Sequence, residues 1–131
     1  LVPEVAEWNR TLIGAPAGHP LEDPRSSVYV GDVADLIRQS AGGFDAVLMD
    51  VDNGPEAVVR VQNDWLYSGD GLRATRAALR PRGVLAVWSA SPDRTFRKRL
   101  KHAGFDVDEH VVRPHRAGKG PRHTIWIAAE S

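Results

Sequence analysis

The sequence predicts an α/β domain with a mostly parallel sheet and one antiparallel strand near one edge. Continuous apolar runs at 46–49 and 84–88 alternate with segments of helical periodicity, which is typical of a parallel sheet covered by helices. The chain also ends in two strand-like segments, 107–112 and 123–129, joined by a loop that contains glycine and proline. Such a final pair predicts one antiparallel strand.

Length and composition limit the classes of function. The 131 residues predict one domain spanning 1–131. Seventeen Lys and Arg balance seventeen Asp and Glu, so we expect neither nucleic acid nor a membrane surface as a partner. No cysteine is present, which excludes thiolate metal sites and fits a reducing compartment, and we predict a cytoplasmic location. No apolar run approaches the ~20 residues that cross a bilayer.

The first third of the chain predicts two helices around a loop and a short strand. Pro3 suits the first position of a helix, where its missing N–H is not needed. A loop rich in Gly and Pro covers 14–24, and 27–30 reads as a short strand. Asp32 can cap the next helix, which the glycine pair at 42–43 ends.

The remaining elements follow the first long apolar strand. The segment 56–62 fits either a short helix or a lid-like loop, and 70–80 reads as a helix. A Pro-Arg-Gly turn precedes the apolar strand at 84–88. Ser91, followed by proline and an acid, indicates a capped helix start. Gly104 is suited to the left-handed position that ends that helix.

The stretch 44–55 carries the first candidate site. An apolar strand runs directly into Asp50 and Asp52, and Asn-Gly-Pro then forces a loop. In open parallel sheets, ligands bind outside the carboxyl ends of the strands. The alternative is structural, with Asp50 capping the turn and Asp52 forming an Asx turn. Further oxygen ligands are not evident, and the five histidines lack metal-binding spacing, so we predict no metal.

Several segments together resemble one family. Gly31-Asp32, the run 44–50 and the run 78–85 resemble the class I S-adenosylmethionine-dependent methyltransferase fold, a Rossmann-type fold. Within it, the chain looks most like the spermidine synthase-like (aminopropyltransferase) branch. The segment 1–5 is similar to the residues after that family's second strand, and 50–55 to its D-x-x-D-P-x-G-P loop. The resemblance covers nearly the whole chain.

The resemblance implies a donor and a set of site residues. The donor would be S-adenosylmethionine or its decarboxylated form. Asp32 would lie beside the adenine and Val33 would line its pocket. Asp50 would hold or deprotonate the attacking amine, Asp52 would be a second carboxylate near it, and Tyr67 would lie at the substrate end. Asp32 could equally act only as a helix cap, and Tyr67 only as a packed core residue.

The chain departs from the family pattern at its start and in the acidic loop. It lacks the family's first two strands, the glycine-rich loop and the acid that ends the second strand, so we expect an N-terminally truncated piece of a longer protein. Asp52 also stands one place before the family's second aspartate. In the complete fold the strand order is 3-2-1-4-5-7-6, and losing strands 1 and 2 leaves a gap beside strand 44–49. We expect either the 27–30 strand or a homo-oligomer to cover that edge.

The predicted function is transfer of an aminopropyl group from decarboxylated S-adenosylmethionine to a small-molecule amine. The nucleophile must be uncharged, and a carboxylate at the attack site can accept the proton. If the backbone stays extended, Asp50 and Asp52 share a face, and two neighbouring carboxylates attract polycations. The alternatives are a methyltransferase of the same fold and a non-catalytic remnant that acts through protein contacts.

Overall fold

The computed structural model describes residues 3–50, 64–113 and 122–130. Contacts divide the chain into two compact units, Leu1–Leu36 and Ile37–Ser131. Each unit is described by itself, and the expectation of a single domain stays a prediction.

The first unit is helical in its described part. Helix α1 spans Pro3–Thr11, and two 3-10 turns follow at Ala15–Ala17 and Pro20–Glu22. Helix α2, Val33–Gln39, begins in this unit and ends in the second. The predicted strand at 27–30 is wrong, because these residues have no regular secondary structure and pair with none of the described strands. Local β-propensity does not make a strand without a ladder partner.

The second unit alternates strands and helices, as the sequence predicted. Its described elements are β1 (Phe44–Met49), α3 (Asp64–Tyr67), α4 (Gly69–Ala78), β2 (Leu79–Ser89), α5 (Arg94–His102), β3 (Phe105–Val112) and β4 (His123–Glu130).

The strands form a mixed four-stranded sheet in the described part of the chain, in the order β1-β2-β4-β3. β1 pairs parallel with β2, and β4 lies antiparallel between β2 and β3. Three strands therefore run in one direction and only β4 runs against them. This confirms the α/β, methyltransferase-like prediction, and the order corresponds to 4-5-7-6 of the complete fold.

β2 is longer than the apolar run that predicted it. The register passes from Phe44 opposite Leu79 to Ala46 opposite Val84, so β2 carries extra residues at this point. Arg82 has φ 68°, a left-handed conformation. The predicted turn at 81–83 is therefore present as an irregularity inside a continuous strand.

One face of the sheet carries the core of the second unit. Alternate residues of β2 and β4 are buried, as the two-residue period of a strand requires. Their side chains pack with those of the helices, and the ring of Phe96 on α5 meets Trp126 on β4 edge-on, with 5.0 Å between centroids. The intervening residues of both strands, on the opposite face, are half-buried.

The ends of α5 follow local capping rules, with one correction. Asp93, not Ser91, is the N-cap, and its Oδ1 accepts hydrogen bonds from the N–H groups of Thr95 at 2.7 Å and Phe96 at 2.9 Å. Asp93 takes the cap position instead of Ser91 because its carboxylate reaches two free N–H groups at the start of the helix. Gly104 has φ 92°, which confirms the predicted left-handed position.

Candidate functional site

The carboxyl ends of β1 and β2 lie side by side. The last registered pair is Met49 with Val87, so Asp50 follows β1 at the end of the sheet where β2 ends at Ser89. Thr124 of β4 is paired with Ser89 there. Asp50 therefore follows β1 at the same end of the sheet at which Ser89 and Thr124 are paired, and this is the end at which sequence reasoning expects a ligand.

Asp50 presents its carboxylate at the end of an anchored strand. Met49, directly before it, is buried in the core of the second unit, whereas Asp50 is exposed. Among the residues that the structure describes, its carboxylate has no hydrogen-bond or ion-pair partner. Asp52 and the loop after it lie outside the described residues, so the predicted pair of carboxylates stays a prediction.

Three buried polar residues near this edge were not singled out from the sequence. Ser89 and Thr124 are fully buried, and Asp93 is nearly so. The N–H of Ser91 donates to Ser89 Oγ at 3.3 Å. A usable signal was present, because Ser89 follows the apolar run 84–88 in the same way that Asp50 follows 46–49.

Arg99 joins the two segments that flank this end of the second unit. Its Nη1 donates to the backbone oxygen of Tyr67 at 3.0 Å, and its Nη2 lies 3.4 Å from Asp93 Oδ2. Its guanidinium carbon lies 5.3 Å from the centroid of the Phe96 ring. The end of α3 is thereby fixed to the start of α5.

Tyr67, predicted at the substrate end, is a packed residue. Its side chain is buried, and its ring meets Phe96 edge-on with 5.7 Å between centroids. The packing alternative considered for it is thus realised. A role toward substrate stays a prediction.

Asp32 and Val33 belong to the first unit, and Asp50 and Tyr67 to the second. Asp32 Oδ1 accepts a hydrogen bond from the N–H of Ala34 at 2.8 Å, which confirms the predicted cap of α2. Val33 is 41% exposed. Their roles around an adenine ring stay predictions.

The described ranges were also searched for metal sites and membrane spans. They contain no group of three or more His, Asp or Glu side chains arranged to hold a metal ion. In the same ranges, no helix combines the length and the apolar character needed to cross a bilayer.

Comparison with known proteins assigns the fold. No protein-family model and no curated protein matches the chain. Among solved structures, it matches spermidine synthase from Thermotoga maritima with a TM-score of 0.67 at 16% identity, over 95% of this chain and 40% of that one. It also matches a spermidine synthase in complex with the transition state analogue AdoDATO, with a TM-score of 0.69 at 16% identity, over 95% and 41%.

These matches bear on the fold alone. The chain has a spermidine synthase-like fold, as the resemblance of its motifs predicted. It spans about two fifths of the length of the two solved structures. At this identity the likeness does not extend to activity, substrates or partners.

Proposed function

We propose that this chain contributes the acceptor side of a transferase site, at which an aminopropyl group passes from decarboxylated S-adenosylmethionine to a small-molecule amine. The observation that carries the proposal is the position of Asp50. It is an exposed carboxylate at the carboxyl end of β1, beside the end of β2, in a spermidine synthase-like fold. This sheet edge is where open α/β folds bind ligands.

A carboxylate at this place suits the chemistry. A primary amine reaches the site mostly as an ammonium, which has no lone pair to react. Asp50 holds the ammonium and accepts one proton. The freed nitrogen then forms a bond to the methylene carbon next to the sulfonium, the C–S bond breaks, and methylthioadenosine leaves as a neutral thioether. Holding the amine in line with that carbon supplies much of the rate.

The donor is assigned to the residues that the family resemblance points to. Asp32 uses Oδ1 as the cap of α2, and its other carboxylate oxygen has no partner among the described residues, so it can accept from an adenine amino group. Val33 is sufficiently exposed to contact the ring. Asp52 and Tyr67 belong to the proposal as residues near the amine, and the cytoplasmic location expected from the sequence is part of it.

The test compares Asp50→Asn with Asp45→Asn in the longest reading frame that contains the chain. Asp45 is a matched control, because it is an exposed carboxylate on the same strand but at the opposite end. We expect Asp50→Asn to lower kcat by about 10²–10⁴-fold and Asp45→Asn to leave it unchanged. The readout is the rate of spermidine formation from putrescine and decarboxylated S-adenosylmethionine.

The reaction product identifies the activity class. A three-carbon amine added to putrescine supports the proposal, whereas a transferred methyl group would make the protein a methyltransferase. Calorimetric titration with S-adenosylmethionine, its decarboxylated form and methylthioadenosine tests the third alternative, a non-catalytic remnant. Absence of heat with all three, together with absence of product, would indicate a remnant that acts through protein contacts.

A further inference from the structure

Helix α3 is too short to hold its position by itself. It spans only Asp64–Tyr67, whereas isolated helices shorter than about 12 residues are marginal in water. Its position therefore depends on tertiary contacts. Leu66 and Tyr67 supply one part of these, because both side chains are buried in the core of the second unit. Backbone carbonyls supply the other part, because the last carbonyls of a helix lack intrahelical partners.

The junction between α3 and α4 is built around Ser68. Ser68 is the N-cap of α4, and its Oγ accepts a hydrogen bond from the N–H of Gly71 at 3.1 Å. The same Oγ donates to the backbone oxygen of Trp65 at 2.7 Å, and the N–H of Ser68 donates to that oxygen at 3.0 Å. The two helices meet so closely that a Cβ at position 71 would lie 2.0 Å from the Trp65 oxygen. The junction is thus a compact turn that moves as one piece.

Arg99 binds this junction from a third helix, α5. Its Nη1 donates to the backbone oxygen of Tyr67, the last residue of α3, at 3.0 Å, and its Nη2 lies 3.4 Å from Asp93 Oδ2. Asp93 is itself fixed, because it is nearly buried and its other oxygen caps α5. A planar guanidinium can bridge two acceptors in fixed directions, which a single ammonium group does not do. Arg99 therefore connects the junction to the start of α5.

The aromatic contacts of Phe96 lie between the same elements. Its ring meets Tyr67 edge-on with 5.7 Å between centroids, and the guanidinium carbon of Arg99 lies 5.3 Å from its centroid. Met49, directly before Asp50, belongs to the same buried core as Tyr67 and Phe96. A displacement of α3 would therefore disturb the core that anchors the carboxyl end of β1.

We propose that Arg99 is a positioning residue: by holding the Tyr67 carbonyl against the start of α5, it fixes the α3–α4 junction and so sets the affinity of the site for the amine acceptor. Arg99 itself touches no substrate. The part of the proposal that concerns the amine rests on the proposed function, in which Tyr67 lies near the acceptor. The part that concerns the junction is independent of any activity.

Hydrogen exchange measured by NMR, on the longest reading frame that contains the chain, tests the hold on the junction. In Arg99→Gln we expect the N–H groups of Ser68 and Gly71 to exchange at least about 10-fold faster, because a hydrogen bond from a charged donor is lost. The amides of β4, in the middle of the sheet, should keep their wild-type rates. Arg97→Gln is the matched control, since Arg97 is an exposed arginine of the same helix with no partner among the described residues.

Steady-state kinetics with putrescine and decarboxylated S-adenosylmethionine tests the effect on the site. Arg99→Gln should raise KM for putrescine by about 10-fold and leave kcat and the donor KM within about threefold, because Asp50 stays in place. Arg99→Lys keeps the charge without the bridging fork, so its KM should lie between the two. Arg97→Gln should match the wild type. A loss of folded protein alone would lower the apparent kcat and leave KM unchanged.

Each outcome decides the question. Unchanged exchange at Ser68 and Gly71 in Arg99→Gln overturns the hold on the junction, and an equal change in Arg97→Gln assigns the effect to the charge of α5. Faster exchange with an unchanged KM for putrescine, or with an equal rise for the donor, overturns the positioning role. If the wild type transfers no aminopropyl group, the proposed function fails and the positioning role fails with it, while exchange still decides the hold. If circular dichroism shows that Arg99→Gln is unfolded, Arg99→Lys carries both comparisons.

Discussion

The two edge strands of the sheet, β3 and β1, differ in how many charged and apolar residues they carry. β3, at one edge, carries four charged or ionisable side chains among its eight residues: Asp106, Asp108, Glu109 and His110. β1, at the other, has four apolar residues in a row from Ala46 to Met49. Charged side chains on an edge strand oppose pairing with another chain, whereas an apolar run favours it.

The difference shows that the two strands meet different requirements. β3 buries Phe105 and Val107 at its start, exposes its charged residues in the middle and ends in the exposed Val111 and Val112. β1 has the composition of a strand with neighbours on both sides. The two edge strands of the described sheet therefore differ in composition as well as in position.

The largest expected effect on stability comes from truncating Phe105, the buried residue at the start of β3. Phe105 is 3% exposed and belongs to the core, so Phe105→Ala should lower the free energy of unfolding by about 3–5 kcal/mol. Leu48→Ala, on β1, removes a side chain that is mostly in solvent and should change it by less than about 0.5 kcal/mol. Urea unfolding at low protein concentration measures both.

The contrast between these variants is itself a test. A loss of several kcal/mol in Leu48→Ala would show that the side chain of Leu48 is covered in solution. The comparison of the two edges would then not hold.

A smaller effect is expected from the hydrogen bond that joins β3 to the core. Trp126 on β4 is fully buried, and its Nε1–H donates to Glu109 Oε2 at 3.1 Å. Glu109→Ala leaves that N–H without its partner and should lower the free energy of unfolding by about 1–2 kcal/mol.

Asp108→Ala is the control for that variant. It removes the adjacent exposed carboxylate of β3, for which the described residues offer no hydrogen-bond partner, and should stay within about 0.5 kcal/mol of the wild type. Thermal and urea unfolding compare the two. Equal effects would mean that the charge of the edge, and not the bond to Trp126, stabilises β3.

Sequence patterns predicted the fold of the second unit because they report local and periodic features. The runs at 46–49 and 84–88 and the last two segments defined the strands, and their order was confirmed. The predictions that failed, the strand at 27–30 and the cap of α5, concern residues for which more than one local structure was possible. The run 27–30 has strand composition but no ladder partner, and the cap of α5 went to Asp93, although Ser91 was the first residue able to take it.

The candidate site was predictable only in part, for a related reason. Position after an apolar strand pointed to Asp50, and the same rule would have found Ser89. The burial of Ser89 and Thr124, and the contacts of Arg99 with Tyr67 and Asp93, depend on which strands and helices become neighbours. Nothing in the local sequence encodes those tertiary contacts.

The smallest effect is expected at the ion pair between β1 and β2. Asp45 Oδ2 and Arg80 Nη1 are 2.7 Å apart, but both side chains are more than half exposed. Solvent screens such pairs, so Arg80→Gln should lower the free energy of unfolding by no more than about 0.5 kcal/mol. The difference from the wild type should shrink further in about 0.5 M salt, because the screening length becomes shorter than at low salt.

A double-mutant cycle with Asp45→Asn isolates the pair from other effects of each substitution. If the coupling between Asp45 and Arg80 exceeds about 1 kcal/mol and resists salt, the pair is shielded from solvent. A coupling below about 0.5 kcal/mol that falls further with salt would instead confirm that solvent screens the pair.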